Sequence, residues 1–463
     1  MQLPESFKSA IAATLGPEAC LSFEQALEHP TPVSVRIHRH KYSDSLNLRE
    51  KVPWCPQGYY LDSRPSFTLD PAFHSGAYYV QEASSMSLWA ILDDQFKKKQ
   101  GLRILDLCGA PGGKSSLIAD WLNGEGLLVS NEVIRNRAYI LKHNLIKTGY
   151  SNIIVSQNDP SDFKNTEHYF DVIVVDAPCS GEGMFRKDEN AIKEWSMENV
   201  GHCSMRQKRI LTDIYPSLKP GGLLIYSTCT YNDIENIQNT DWLSTNYNMK
   251  SIDSILGKFS GVTVKEGKHS VGYQFYPHLV KGEGLFIAAL QKMVDDKQFS
   301  FPKKLNSSLS FLSRQEKNIT DSWITPDSDI GFRKDKSGTI HAIPGTIIED
   351  ADFLTSGLRL IHCGIDVGKV VKDILIPDHH LALSFLELQN IPGYEADKSE
   401  AIAFLKKDLN AIENGQKGWL RIFYKGKALG WVKNIGNRIN NYLPNDWRIR
   451  MQINNDDERL LPE

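Results

Sequence analysis

The rhythm of hydrophobic positions changes near Gly101. Beyond it, short apolar runs rich in leucine and β-branched residues alternate with stretches whose apolar positions recur at helical spacing. Leu102–Leu107, Leu127–Ser130, Asn152–Ser156, Asp171–Val175 and Gly222–Ser227 read as strands, and Lys114–Asn123, Ile134–Thr148 and Cys203–Leu218 as helices. Near-continuous apolar runs suit strands buried on both faces, and strand–helix alternation predicts an α/β fold with a doubly wound, parallel sheet. Residues 1–95 mix helical, extended and turn-rich signals and predict an N-terminal α+β domain. Strand signals fade over 296–335, a polar stretch with Lys303, Lys304 and several serines, which reads as a linker after a core domain at 96–295. Short strand-like segments return at 336–380 (a small connecting domain), and 381–463 forms a last block rich in β-formers. No repeat of 20–50 residues is present.

Composition changes this picture little at first. The 463 residues suit two to four domains, and 41% apolar with 24% charged residues is ordinary globular composition. No run reaches the ~18 apolar residues of a membrane span, and the first residues carry no basic, then apolar, leader pattern. Seven scattered cysteines without a Cys-x-x-Cys pair argue against a disulfide framework or a zinc site, so a reducing cytoplasm and no metal are expected. The net charge of −3 hides a local excess. Residues 417–450 hold Lys417, Arg421, Lys425, Lys427, Lys433, Arg438, Arg448 and Arg450 against the single acid Asp446. Trp419, Phe423, Tyr424, Trp431, Tyr442 and Trp447 interleave with them. The charge points to RNA, while most of these aromatics are expected in the core of a compact β-module. Arg36, His38, Arg39, His40 and Lys41 add a modest second basic stretch, whereas Arg135, Arg137, Lys142 and Lys147 read as a solvated helix face.

Candidate chemistry begins after the first core strand, at Asp106-Leu107-Cys108-Gly109-Ala110-Pro111-Gly112-Gly113-Lys114-Ser115. Glycines there let a ligand approach the backbone, and the following helix offers unpaired N–H groups. The glycine spacing fails both the Walker A and the Rossmann pattern. A ligand with less phosphate, such as S-adenosylmethionine, remains, and Glu132 at the end of the second strand is placed to take its ribose hydroxyls.

Two cysteines also follow strands, in Asp176-Ala177-Pro178-Cys179-Ser180-Gly181 and Ser227-Thr228-Cys229-Thr230. The carboxyl ends of doubly wound strands share one crevice, so both thiols and Asp176 should face the glycine-rich loop. The chemistry that uses this set is methylation at carbon 5 of a pyrimidine. A thiolate adding at carbon 6 makes carbon 5 nucleophilic, an acid such as Asp176 near ring nitrogen 3 stabilises the adduct, and a second polar group helps dissolve it. The target base must leave any stack to reach such a pocket. The residues alone do not say which thiol attacks.

Residues 30 to 292 resemble the Sun (Fmu-type) family of RNA 5-methylcytosine methyltransferases. The resemblance rests on Pro32–Ile37, Tyr79–Met86, the loop 106–115, Asn131-Glu132, Asp176–Gly183 and Leu218–Thr230; Gly109 stands where the family usually has Ala, and Ser115 where it often has Thr. It implies a seven-stranded class I methyltransferase sheet. It implies that Cys108, Gly109, Ala110, Pro111, Gly112, Gly113 and Lys114 line the methionine part of S-adenosylmethionine, that Glu132 holds the ribose, that Asp159 lies on the adenine side, and that Asp176 serves cofactor and base. It further implies that Cys229 is the nucleophile, that Cys179 releases the adduct, and that 381–463 is PUA-like. The expectation is therefore a monomeric, cytoplasmic enzyme acting on carbon 5 of a cytidine in small-subunit ribosomal RNA. The alternatives are the same chemistry on tRNA and a non-catalytic RNA-binding assembly factor.

Overall fold

The computed structural model describes residues 3–42, 50–96, 99–293, 298–325, 329–412 and 416–451. The acidic residues Asp456, Asp457, Glu458 and Glu463 lie outside the described residues.

The five expected core strands form as Arg103–Asp106, Leu127–Asn131, Ile153–Ser156, Phe170–Asp176 and Leu218–Thr228. They pair in parallel, in the spatial order third, second, first, fourth, fifth. The seven-stranded core is completed by Leu285–Lys292, antiparallel to the fifth strand, and by Val271–Phe275 beyond it. Successive residues of each strand serve opposite faces. Thus Ile104, Leu128, Val174 and Ile225 join one hydrophobic cluster, and Leu105, Val129, Ile173 and Leu224 the other. Burial of each such side chain contributes roughly 1.5–3 kcal/mol, so a one-residue slip would be prohibitive. The helices Gly113–Leu122 and Arg135–Ile146 fall close to their expected spans, while Met197–Ile214 begins well before the expected Cys203.

Three further strands extend this sheet. Val262–Glu266 pairs with Val271–Phe275, Met249–Ile252 pairs with Leu285–Lys292, and Leu360–Cys363 adds antiparallel to Ile153–Ser156. The strand-like stretch expected within 336–380 is split by Gly364, at φ 66°. A Cβ there would sit 2.4 Å from the carbonyl oxygen of Ala342. That turn leaves Leu360–Cys363 in the methyltransferase sheet and sends Ile365–Val371 into a separate sheet ordered Ile330–Lys334, Ile340–Pro344, Ile365–Val371, Ile374–Pro377.

The stretch 296–335 therefore departs from the expected linker. It contains the helix Arg314–Asp321, closed by a capping box between Ser313 and Glu316, and the strand Ile330–Lys334. Phe299 and Phe301 pack against the second core cluster, with the Arg103 guanidinium over both rings. Every residue of the Ile330–Lys334 strand is only half-buried, which is why its polar sequence carries little strand signal.

At the N-terminus, the helices Glu5–Leu15 and Pro17–Glu28 precede a sheet ordered Glu50–Lys51, Gly58–Leu61, Val33–Ile37, Tyr78–Val80. The second basic stretch, a modest signal for RNA contact, turns inward at three points. Arg36 is buried against Asp120 at 3.1 Å, with Gln81 and Ser116 completing its hydrogen bonds. His38 is also buried. The Lys41 ammonium donates to the carbonyl oxygens of Ser75, Lys147 and Leu383, and burial lowers its pKa to about 7. One side chain thus ties three regions of the chain together.

The expected solvated helix face holds at Arg135 and Arg137, which are exposed, but not at Lys142 and Lys147. Lys142 pairs with buried Asp366 at 3.0 Å, Arg137 donates to the Ala110 carbonyl, and Lys147 lies over Phe73 and Trp447. The C-terminal sheet runs Gly393–Glu395, Gly418–Tyr424, Lys427–Asn434, Ile439–Asn441. Its Trp431 is fully buried, in a cluster with Ile340, Val367 and Leu381, so this block shares a core with the preceding sheet.

A polar knot joins that preceding sheet to the core domain. Asp366 accepts Lys142 and His341, and His362 and His380 lie beside it. Burial opposes charge on His341, but Asp335 and Asp366 outweigh it and raise its pKa to about 9. A folded-state pKa above the ordinary 6.5 stabilises the fold fully below pH 6.5, and that contribution is lost as pH rises through 9. At about 1.4 kcal/mol per pH unit, roughly 3 kcal/mol is at stake. Urea unfolding at pH 6 and pH 9 should show this loss in the wild type and a smaller one in His341→Gln; equal losses would contradict the assignment.

Candidate active site

The site is assembled where the first, second, fourth and fifth parallel strands end. Asp106 closes the first strand, fully buried, and accepts the Ser115 hydroxyl at 2.6 Å; Ser115 also bonds Ser130 at the end of the second strand. The other Asp106 oxygen is buried without a partner. Burial raises the pKa of this carboxyl to about 7. From sequence alone Asp106 carries no role beyond closing the strand before the loop.

The glycines of the turn have separate reasons. A Cβ on Gly109 would lie 2.5 Å from the Ser130 hydroxyl and 2.7 Å from that of Ser115, so those hydroxyls occupy the space of a side chain. Gly112 adopts φ 118° at the N-cap of the helix Gly113–Leu122, a conformation L side chains rarely take. Ala110 and Pro111 have their carbonyls tied by Arg137 and Asn144. Cys108 is half-buried, and its thiol is pushed above the ordinary range by burial and the surrounding carboxylates.

Lys114 reaches from this helix to Asp176 at 2.8 Å, and Asp176 also accepts the Ser227 hydroxyl at 2.7 Å. Burial works against the Lys114 charge, but the Asp176 pair reverses the balance and raises its pKa. Strand register sets Asp176 opposite Ser227. The chain then carries Cys179 and Cys229 into contact, with their sulfurs 3.1 Å apart and both free and half-buried. The hydrogen bond with Cys229, burial and the nearby Cys229 and Glu235 charges all push the Cys179 thiol well above its usual range.

Glu132 is buried at the end of the second strand, where it accepts the Ile134 amide and lies 3.5 Å from Arg137. Asp159 caps the 3-10 turn Pro160–Asn165 and takes both Arg209 nitrogens, at 3.3 and 3.1 Å, so its carboxylate already has partners. The fold thus brings Lys114, Asp176, Cys179 and Cys229 together and sets Glu132 and Asp159 further along the row of strand ends. Two buried acids in the cysteine loops, Glu182 and Glu235, went unnoticed. Their only signal was an acid a few residues past each Cys, which ordinarily reads as solvated.

This donor set fits S-adenosylmethionine. The glycine turn leaves room at the helix start, one oxygen of Asp106 lacks a partner, and carboxylates stand at three strand ends. Class I sheet and site together define an S-adenosylmethionine-dependent methyltransferase. Three family models match in register: "16S rRNA methyltransferase RsmB/F" over 94–291, "N-terminal domain of 16S rRNA methyltransferase RsmF" over 3–83, and "Methyltransferase RsmF PUA domain" over 392–449. The ribosomal RNA small subunit methyltransferase F of Shewanella sediminis is 30% identical over 96% of this chain and 97% of its own. The chain belongs to the ribosomal RNA small subunit methyltransferase F family. Among solved structures, a methyltransferase homolog from Pyrococcus horikoshii is 27% identical, with TM-score 0.51 over 63% of this chain and 100% of that one. NSun6 from the same organism, solved with SFG, has the same fold, with TM-score 0.53 and 20% identity over 63% of this chain and 99% of its own. Among the described residues, no helix is long and apolar enough to cross a membrane.

If the cofactor lies on the turn, a side chain at Gly109 must displace the Ser115–Ser130 pair. Gly109→Val should weaken S-adenosylmethionine binding by about tenfold or more in calorimetry, since overpacking costs about 1–3 kcal/mol. Unchanged affinity would contradict this placement.

Proposed function

We propose that the enzyme methylates carbon 5 of a cytidine in small-subunit ribosomal RNA through a covalent adduct with Cys229. The observation that carries this reading is a pair of free thiols in contact, beside a carboxylate already paired with a lysine. S-adenosylmethionine supplies an electrophilic methyl group when bound. The Cys229 sulfur adds to carbon 6 of the flipped base as the nucleophile. Asp176, positioned by Lys114 and Ser227, accepts the hydrogen bond from ring nitrogen 3 once the electron density moving there has drawn a proton onto it. After methyl transfer, carbon 5 gives its proton to a solvent water, the electron pair re-forms the 5,6 double bond, and the Cys229 sulfur leaves as the thiolate. Cys179, held as a neutral thiol, hydrogen-bonds the departing sulfur. A neutral thiol is a poor nucleophile, which favours Cys229 over Cys179 for the attack. Glu132 is proposed to hold the ribose, and Asp159 to border the adenine.

The RNA surface is proposed on the C-terminal block. Lys417, Lys425, Arg438, Arg448 and Arg450 are exposed there, whereas Arg421 is turned onto the carbonyls of Ala382 and Ser384. Most of the interleaved aromatics pack into the protein, as Trp431 and the Trp419–Tyr442 pair show. Removing the whole block would open the core shared through Trp431, so charge reversal is the cleaner probe. Arg438→Glu with Arg450→Glu should weaken RNA binding, flatten its salt dependence and spare cofactor binding; an unchanged salt slope would remove these residues from the RNA surface.

Incubation with 5-fluorocytosine-containing ribosomal RNA and S-adenosylmethionine should trap a protein–RNA complex, lost in Cys229→Ala. Cys179→Ala should accumulate the adduct even on ordinary RNA. No trapped complex would overturn the reading, and a better yield on tRNA than on ribosomal RNA or assembled subunits would move the substrate.

A further inference from the structure

The chemistry above gives no role to the two buried carboxylates inside the cysteine loops. Glu182 follows Cys179 in sequence and is 1% exposed; Glu235 follows Cys229 and is fully buried. Each reaches across to the other loop. Glu182 accepts the Thr230 hydroxyl at 2.5 Å and the backbone amides of Tyr231 and Asn232 at 2.7 and 3.1 Å. These are the residues immediately after Cys229. The Asn232 side-chain amide and the Trp195 indole N–H complete its shell, at 2.9 and 3.0 Å. Glu235 accepts the amide and hydroxyl of Ser180, next to Cys179, at 3.0 and 2.5 Å. It also takes the side-chain amides of Gln207 and Asn232, each at 2.8 Å. A backbone bond lies alongside, from the Gly183 N–H to the Cys229 carbonyl at 2.8 Å.

Among the described residues, no lysine or arginine pairs with either acid. A buried carboxylate without a counter-ion is costly unless its oxygens are fully hydrogen-bonded. Here the compensation comes from neutral donors, several of them on the cysteine loops themselves. Movement of either loop would leave a buried charge short of donors, so the acids fix loop positions more firmly than ordinary packing can. Neither can be replaced by an amide without turning an N–H toward a donor.

We propose that Glu182 and Glu235 form a reciprocal clasp that sets the two thiols for successive steps. Glu182 is a positioning residue for adduct formation through the segment after Cys229, and Glu235 one for adduct release through the loop bearing Cys179. The Glu235 charge also adds to the effects that keep the Cys179 thiol neutral, behind its hydrogen bond with Cys229 and burial. The two N-terminal helices reinforce the same place: Phe7 and Phe23 pack with Phe185, Trp195 and Tyr231 around the clasp.

This inference rests on the covalent reading, and one experiment separates the two. Glu182→Ala and Glu235→Ala are compared with wild type for the rate of trapping on 5-fluorocytosine RNA and for adduct accumulation on ordinary RNA. Glu182→Ala should slow trapping by about tenfold or more without accumulation. Glu235→Ala should trap within about threefold of wild type yet accumulate adduct on ordinary RNA. S-adenosylmethionine affinity should be unchanged in both, and Glu182→Asp and Glu235→Asp should recover part of each defect. If an alanine variant loses cofactor binding, gentler substitutions replace it. Gly183→Ala places a Cβ 2.9 Å from the Cys229 carbonyl, and Ser180→Ala removes one Glu235 bond; they should give the formation and release defects respectively. Equal slowing of both steps by both sets of variants, or wild-type rates in all of them, would overturn the clasp. Failure of the wild type itself to trap RNA would instead overturn the covalent reading, and the clasp with it.

Discussion

The register that sets Asp176 opposite Ser227 is the constraint on which the site depends. Two parallel strands end level with one another, and each continues into a loop that carries a cysteine a few residues on. Lys114 arrives from the neighbouring helix and pairs with Asp176 at 2.8 Å. A slip of one residue would exchange the inward and outward faces of a strand buried on both sides. The packing that holds the sheet together is thus also what holds the chemistry together.

Around that point the molecule is bound by a few buried polar groups. Arg36 anchors the N-terminal sheet to Asp120 on the cofactor-side helix. Glu82 accepts the amides of Ser84, Ser85 and Glu283, which stitches the Tyr79–Met86 segment to the far edge of the core domain. Lys41 gathers carbonyls from three regions, and Asp366 ties Lys142 to the following sheet. His362, Asp366 and His380 stand as close as metal ligands would, and Asp366 is already paired with Lys142 and His341. Each link takes an ionisable group out of water only where donors and acceptors are in balance.

What the sequence made legible follows from how strongly burial shapes it. Strands buried on both faces are near-continuous apolar runs, so the five parallel strands could be placed within a few residues. Ile330–Lys334, half-buried throughout, leaves no comparable trace and reads as part of a linker. Charged residues were misjudged in one direction. Lys142 and Lys147 read as solvated, and Arg36 and Lys41 as RNA-facing, because nothing in a one-dimensional pattern reveals a partner more than 70 residues away, as Asp120 is from Arg36. Cys179, Cys229, Asp176 and Lys114 were legible because strand ends in a doubly wound sheet converge. Glu182 and Glu235 were not, since their partners lie in the other loop.

The central claim is that the thiol on the fifth strand's loop, and not its neighbour 3.1 Å away, bonds to the base. Mass-spectrometric mapping of the peptide cross-linked to 5-fluorocytosine RNA tests it directly. The account predicts the nucleotide on the peptide containing Cys229, with Cys179 unmodified. A nucleotide on Cys179 would contradict the division of labour between the thiols.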